Sequence, residues 1–247
     1  MKRALRTAAS LPFRLLPNVL RHRLIQAVLD ATAGQPAREA MRALLAIDES
    51  LLGRINEVAM RYDNGIHVKH RLMKYHDFFV EHIRSGERVV DIGCGYGAVA
   101  YSIVSRSGAD VTGIDLSIAN IGEARRRFQH PKLTWLEGDA LTDLPQGPYD
   151  TAILSNVLEH IEHRVEFLKA LQRQPAPKRL LIRVPMFNRD WKVPLRKELG
   201  MTYFSDPTHF TEYTRESFET EMTQAGLTIT DLQIAWGELW AEVSAHA

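Results

Sequence analysis

Between residues 88 and 185, short β-branched runs alternate with segments of helical spacing, and nothing else in the chain restricts its fold as much. The pattern predicts strands at 88–92, 110–115, 133–137, 150–155 and 179–185, with helices at 97–107, 118–128 and 161–173. Strands joined through helices pair in parallel, because only a crossover connection returns the chain to the same sheet end. The expected fold is therefore α/β, a doubly wound and mostly parallel sheet with helices on both faces. A helix at 214–225 ends near Gly226, and runs at 227–235 and 238–244 predict an antiparallel hairpin at the sheet edge.

The region before residue 88 reads as helical. A helix from Pro17 to Ala31 carries Leu20, Leu24 and Val28 on one stripe. A second runs from Pro36 through Leu45, and a third starts at Asp48 as N-cap and ends at Asn64-Gly65. A fourth, 68–84, places Leu72, Tyr75, Phe79 and Ile83 at helical spacing. Residues 1–66 thus form a helical extension and 67–247 the α/β domain. The connection 186–213 is too long for a plain loop and is expected to act as a substrate lid.

Charge and cysteine content exclude several classes. The net charge of +1 gives no overall attraction to nucleic acid. Residues 1–33 alone carry +5, which predicts a peripheral contact of residues 1–30 with anionic lipid, or a helix packed on the domain or on a second subunit. The single cysteine, Cys94, permits no internal disulfide and suits a reducing cytoplasm. No apolar run approaches the roughly 20 residues of a spanning helix. Pro12, Arg14 and Pro17 interrupt any secretory signal. The expected location is the cytoplasm, at the inner face of the membrane if the lipid contact holds.

The first predicted strand ends in VVDIGCGYG, with Gly93, Gly95 and Gly97 directly after Asp91. Glycine there lets a ligand lie against bare backbone at a helix N-terminus. A tight strand-to-helix turn is the plainer reading. Two further acids favour the ligand. Asp115 ends the second strand and can accept from ribose hydroxyls, and Asp139 follows the third strand, placed to meet an adenine amino group. The G-x-G-x-G spacing departs from the dinucleotide fingerprint, and a carboxylate at the loop mouth repels a pyrophosphate but attracts an ammonium group.

This set, VVDIGCGYG, GIDLS and EGDA in order, resembles the class I S-adenosylmethionine-dependent methyltransferases, in the small-molecule branch that includes ubiquinone-type and envelope-sugar enzymes. The resemblance implies a seven-stranded Rossmann-like sheet and S-adenosyl-L-methionine as cofactor. It implies that Asp91, Gly93, Gly95 and Gly97 line the methionine end and that Asp115 binds the ribose. Leu116 would cover one adenine face, Asp139 and the Ala140 backbone would read the adenine edge, and Asn156 would lie near the methyl donor. Cys94 reads as a small side chain under the cofactor.

Where base-methylating enzymes carry Asn/Asp-Pro-Pro-aromatic, this chain reads SNVLEH, so no nucleic acid is expected. The acceptor is expected to be a small molecule or a glycan- or lipid-linked hydroxyl. Its proton needs a base, and histidine suits neutral pH. His209 is the first candidate, or else it caps helix 214–225 or packs on it. His160 is the second, or else it begins helix 161–173. Asp190, Trp191 and Tyr213 would shape the pocket. Lys69, His70, Arg71 and Tyr75 would reach an anionic group or line a solvated face. No metal is expected, because His70 and His76 would not share a helix face. A nicotinamide-dependent oxidoreductase and a non-catalytic cofactor-binding module are the competing readings. The oligomeric state is open.

Overall fold

A computed structural model describes residue 13 and residues 15–245. Seven strands form one sheet in the order β3-β2-β1-β4-β5-β7-β6. They are β1 Arg88–Ile92, β2 Asp110–Asp115, β3 Leu133–Glu137, β4 Thr151–Ser155, β5 Arg179–Pro185, β6 Leu227–Ala235 and β7 Glu238–Ala245. The first five are parallel, and β7 enters antiparallel beside β5, with β6 outside it. This is the expected doubly wound sheet with its terminal hairpin.

β1, β4 and β5 are buried on both faces, which explains why they read as largely apolar runs rather than alternating ones, whereas β3 and β6 at the sheet edges are partly exposed. In β1, Val89 packs with Phe79, Ile103 and Ile121 on one face. Val90 and Ile92 pack with Leu154, Phe167 and Leu180 on the other. Strand order reverses between β1 and β4, so a crevice opens beyond the C-terminal ends of these two strands.

The helices are α1 Asn18–Ala33, α2 Ala37–Tyr62, α3 Lys69–Met73, α4 Tyr75–Glu81, α5 Ala98–Ser107, α6 Ile118–Arg127, α7 Arg164–Arg173, α8 Lys192–Glu198 and α9 Arg215–Gln224. Four differ from expectation. The two helices expected across 36–64 are one, α2, because no proline interrupts a run rich in strong helix formers. Asp48 is not an N-cap; mid-helix, its carboxylate meets Lys192 Nζ at 3.0 Å. The helix expected at 68–84 breaks at Lys74, which has φ of 53°. The break lets Tyr75, Phe78 and Phe79 enter the core while Lys69 and Arg71 stay outside it. Third, α7 starts at Arg164, after a separate 3-10 turn over Leu158–His160. Finally, α8 occupies part of the connection expected as a lid.

α2 docks on α8 through Arg196. Its guanidinium donates to Leu45 O at 2.6 Å and to Glu49 Oε2 at 2.9 Å. Arg196 is buried, and α2 otherwise buries only Ala40 and Leu45. Truncation of Arg196 to alanine is expected to free α2, since charged hydrogen bonds of this kind contribute roughly 1.5–3 kcal/mol each. Hydrogen exchange should then accelerate across 37–62 while amides of β1 and β4 stay protected. Unchanged exchange in α2 would show that the helix is held elsewhere.

Candidate functional site

Asp91 is the penultimate residue of β1, inside the sheet. It is 1% exposed, and neither carboxylate oxygen has a hydrogen-bond partner. Burial pushes its pKa up to about 7, with the Asp115 charge adding to the effect against the opposing influence of the Ala100 amide. A carboxylate so placed is a standing demand for a cation or a strong donor.

The loop after it is folded by its own backbone. Cys94 N donates to Ile114 O at 3.0 Å, and Gly97 N to Cys94 O at 2.9 Å. Gly97 has φ of 80°, and a Cβ there would sit 2.2 Å from Trp135 Cη2, so its role is packing. Gly95 differs. Its φ is 55°, and a Cβ would meet nothing within 4 Å. Its bare backbone therefore borders open space, as a ligand cradle requires. Cys94 is half-buried, and burial together with Asp91 and Asp115 raises its thiol, so it is not a nucleophile.

Asp115 accepts from Gly95 N at 2.8 Å, Ser117 N at 2.9 Å and Asn120 Nδ2 at 3.0 Å. It shapes the glycine loop as well as ending β2. Leu116 is 71% exposed beside it. Asp139 Oδ1 accepts from Leu141 N at 2.8 Å, which fixes a turn carrying Ala140. Asn156 takes φ of 58°, its N–H donates to Arg183 O at 2.8 Å, and its Oδ1 is buried without a partner. An orphaned acid at the end of β1, open backbone at Gly95, and acids after β2 and β3 fit an adenosine carrying a positively charged tail.

A second group lies beyond β4. Glu159 is 0% exposed, and both its oxygens lack partners. Burial raises its pKa to about 7. Phe210 N donates to Glu159 O at 2.8 Å, which draws the segment after α8 onto this turn. That contact brings His209 to His160, with ring centroids 4.4 Å apart and nearly perpendicular. His209 is buried, and its Nδ1 meets Glu212 Oε1 at 3.2 Å. His160 Nδ1 meets Thr208 Oγ1 at 2.8 Å, and burial, with His209 nearby, lowers its pKa. His209 does not cap α9, because Thr214 does, in a capping box with Ser217.

Glu159 and Glu212 were not singled out from the sequence. Glu159 adjoins His160, but only its burial marks it. Tyr213 does not line a pocket: it is buried, and its hydroxyl donates to Glu221. Asp190 lines a cleft with Asp48, Glu49, Leu52, Tyr203 and Ser205, whereas Trp191 is exposed. The helix break at Lys74 does bring His70 and His76 together, Nδ1 to Nε2 at 3.0 Å, contrary to the helical expectation. His67 turns instead to Asn56 Oδ1 at 3.2 Å. Tyr75 is buried under the Arg183 guanidinium, which lies 3.7 Å from its ring centroid.

Asp91 and Glu159 give the free protein an unusual pH dependence. Both have pKa values raised above those of the unfolded chain, to about 7. The folded state therefore binds more protons than the unfolded one between about pH 4 and pH 7, and stability falls as pH rises through that window. Their contribution to the loss is expected to be a few kcal/mol, at about 1.4 kcal/mol per pKa unit. Asp91→Asn should flatten the melting temperature against pH and raise it at pH 8. An Asp91→Asn protein whose pH profile matches the unsubstituted one would contradict the burial argument.

A methyltransferase-domain family profile matches residues 65–232. The ubiquinone biosynthesis O-methyltransferase of Methylococcus capsulatus is 29% identical over 123 residues, 48% of this chain and 51% of that protein. Its namesake from Rhodopseudomonas palustris is 28% identical over 168 residues, 62% of this chain and 66% of that protein. The chain thus spans about half to two thirds of these relatives. The magnesium protoporphyrin IX methyltransferase from Synechocystis, a structure with bound SAH, superposes with a TM-score of 0.58 at 21% identity, over 73% of this chain and 85% of that one. That likeness shows the fold. With the family match covering well over half its residues, the chain belongs to the methyltransferase-domain family, within the class I S-adenosylmethionine-dependent methyltransferases.

Proposed function

We propose that this chain methylates a hydroxyl group of a small molecule, using S-adenosylmethionine. The observation that carries the reading is Asp91, a buried carboxylate without a partner beside the open backbone of Gly95. An ammonium group there satisfies the acid, whereas a pyrophosphate would be repelled, which disfavours a nicotinamide cofactor. Asp115 would hold the ribose, Leu116 an adenine face, and Asp139 with Ala140 the adenine edge. When bound, the cofactor supplies a methyl group on a sulfonium, already activated for displacement.

The remaining work falls to the chain. It must orient the acceptor and exclude water, and orientation alone can supply roughly 7–11 kcal/mol of the barrier. The acceptor hydroxyl is brought to Glu159, His160 and His209, where its proton is handled. The acceptor enters through a cleft of about 380 Å³ lined by Leu52, Tyr203, Phe204 and Trp236 with Arg189 and Lys192. Ser205 borders this cleft, and its hydroxyl lies 3.4 Å from His209 Nδ1. Residues 186–213 would serve as its lid and 1–66 as an extension packed beside it.

Thermal shift with S-adenosylhomocysteine and NAD, each alone, separates the cofactors: the former should raise the melting temperature and NAD should not. Stabilisation by NAD alone would remove the methyltransferase reading. Asp115→Ala should weaken S-adenosylhomocysteine binding at least about tenfold, through lost charged hydrogen bonds to ligand and loop. His209→Ala should cut turnover while cofactor affinity stays within about twofold. Full turnover in that variant would place the proton transfer elsewhere.

A lipid-linked acceptor has separate support. Among the described residues α1 buries none, and it exposes Val19, Leu20, Ile25 and Val28 beside Arg21 and Arg23. No helix among the described residues is long and apolar enough to cross a membrane. The +5 charge of residues 1–33 complements an anionic bilayer surface, and α1 would lie along it. Binding to phosphatidylglycerol vesicles should fall steeply from 50 to 300 mM salt. A protein lacking residues 1–30 that co-sediments equally well would dismiss this contact.

A further inference from the structure

We propose that Glu159, His160 and His209 bind one divalent first-row transition-metal cation, positioned to receive the acceptor hydroxyl. One ligand atom from each residue lies within 4.8 Å of the other two. Ligands held at about 2.0–2.2 Å by one ion stand roughly 3–4 Å apart, so small side-chain rotations close the site.

Two independent features point to an ion. The first is Glu159, wholly buried with neither oxygen partnered. Buried carboxylates persist where a cation or a donor compensates their desolvation, and among the described residues no side chain donates a hydrogen bond to this one. The second is how the two imidazoles are held from behind. Thr208 Oγ1 donates its hydrogen to Asp206 Oδ1 at 2.6 Å, so it can only accept from His160 Nδ1–H. Glu212 likewise accepts from His209 Nδ1–H at 3.2 Å and is itself held by Arg189 and Ser205. In both rings Nδ1–H faces an oxygen, which leaves Nε2 as the nitrogen available to an ion. Metal-bound histidines are oriented this way, with the distal N–H on an oxygen and the other nitrogen presented to the ion.

Three protein ligands leave coordination positions open. An acceptor oxygen taking one of them becomes more acidic and loses its proton to solvent at neutral pH. Its bond to the methyl carbon forms as the carbon–sulfur bond breaks, and that electron pair neutralises the sulfonium. In this arrangement His160 and His209 are ligands rather than bases. The catalytic use of the ion rests on the methyl-transfer reading, but its binding does not.

The test uses the full chain without a histidine tag, stripped by chelator and then given Mn²⁺ alone or Zn²⁺ alone, with no acceptor. Calorimetry should show one ion per chain. Bound Mn²⁺ should show hyperfine couplings from two imidazole nitrogens, a readout that needs no variant. Glu159→Gln and His160→Ala should each weaken binding at least about tenfold. S-adenosylhomocysteine binding is measured on the same samples. Wild-type protein that binds S-adenosylhomocysteine but neither ion overturns the cation site and leaves the methyltransferase reading intact. Stoichiometric ion binding without imidazole couplings, or unaffected by both substitutions, overturns it equally.

Discussion

Asp91, the penultimate residue of β1, carries a charge that the fold itself leaves unpaired. A fully apolar β1 would make a more stable sheet, because an isolated buried carboxylate costs several kcal/mol. Burial of Val89, Val90 and Ile92 on the two faces of the sheet offsets that cost. Much of the crevice is arranged around this one acid. The glycine loop turns away immediately after it, Gly95 stays open, and Asp115 spends part of its carboxylate holding that loop.

Glu159 repeats the arrangement one strand over. β1 and β4 are hydrogen-bonded neighbours, and each leads into a buried, unpartnered carboxylate. The same crevice thus has two places that demand positive charge. Their surroundings assign different occupants. Asp91 lies next to bare backbone and acids suited to a nucleoside, while Glu159 lies next to two imidazoles. A donor with an ammonium tail answers the first, and a cation drawing in the acceptor oxygen answers the second. The electrostatic design on the two sides of the reaction is therefore the same, although the ligands differ.

The central sheet was legible because burial on both faces writes itself into β1, β4 and β5 as largely apolar runs. The placement of Asp91 and Asp115 near strand ends, and of Gly95 in the loop between, was legible because the fold dictates where strands stop. The N-terminal helices were harder. Asp48 looks like a cap locally, but its partner is Lys192, remote in sequence. Lys74 gives no local sign of its left-handed turn, which follows from the burial of Tyr75 and Phe79. His160 and His209 were both named from the sequence, yet for separate reasons. Their meeting depends on the backbone bond from Phe210 to Glu159 and the contact of Thr208 with His160, neither of which a spacing rule contains. Glu159 was overlooked because a glutamate looks the same in a sequence whether water reaches it or not.

The two halves of the site also differ in origin. The proposed donor half lies within the family-matched residues 65–232 and is built from strand ends that the fold fixes. The proposed acceptor cleft draws one wall from α2, through Asp48, Glu49 and Leu52, which precede that match. Arg196 and Lys192 bind α2 to α8 at the same place. Any movement of α8 that admits an acceptor must therefore move against α2. On this reading the choice of acceptor is set by how the extension packs on the lid, and the chemistry by β1 and β4 beneath. Relatives that share the lower half and differ in the upper can keep the reaction while changing what is methylated.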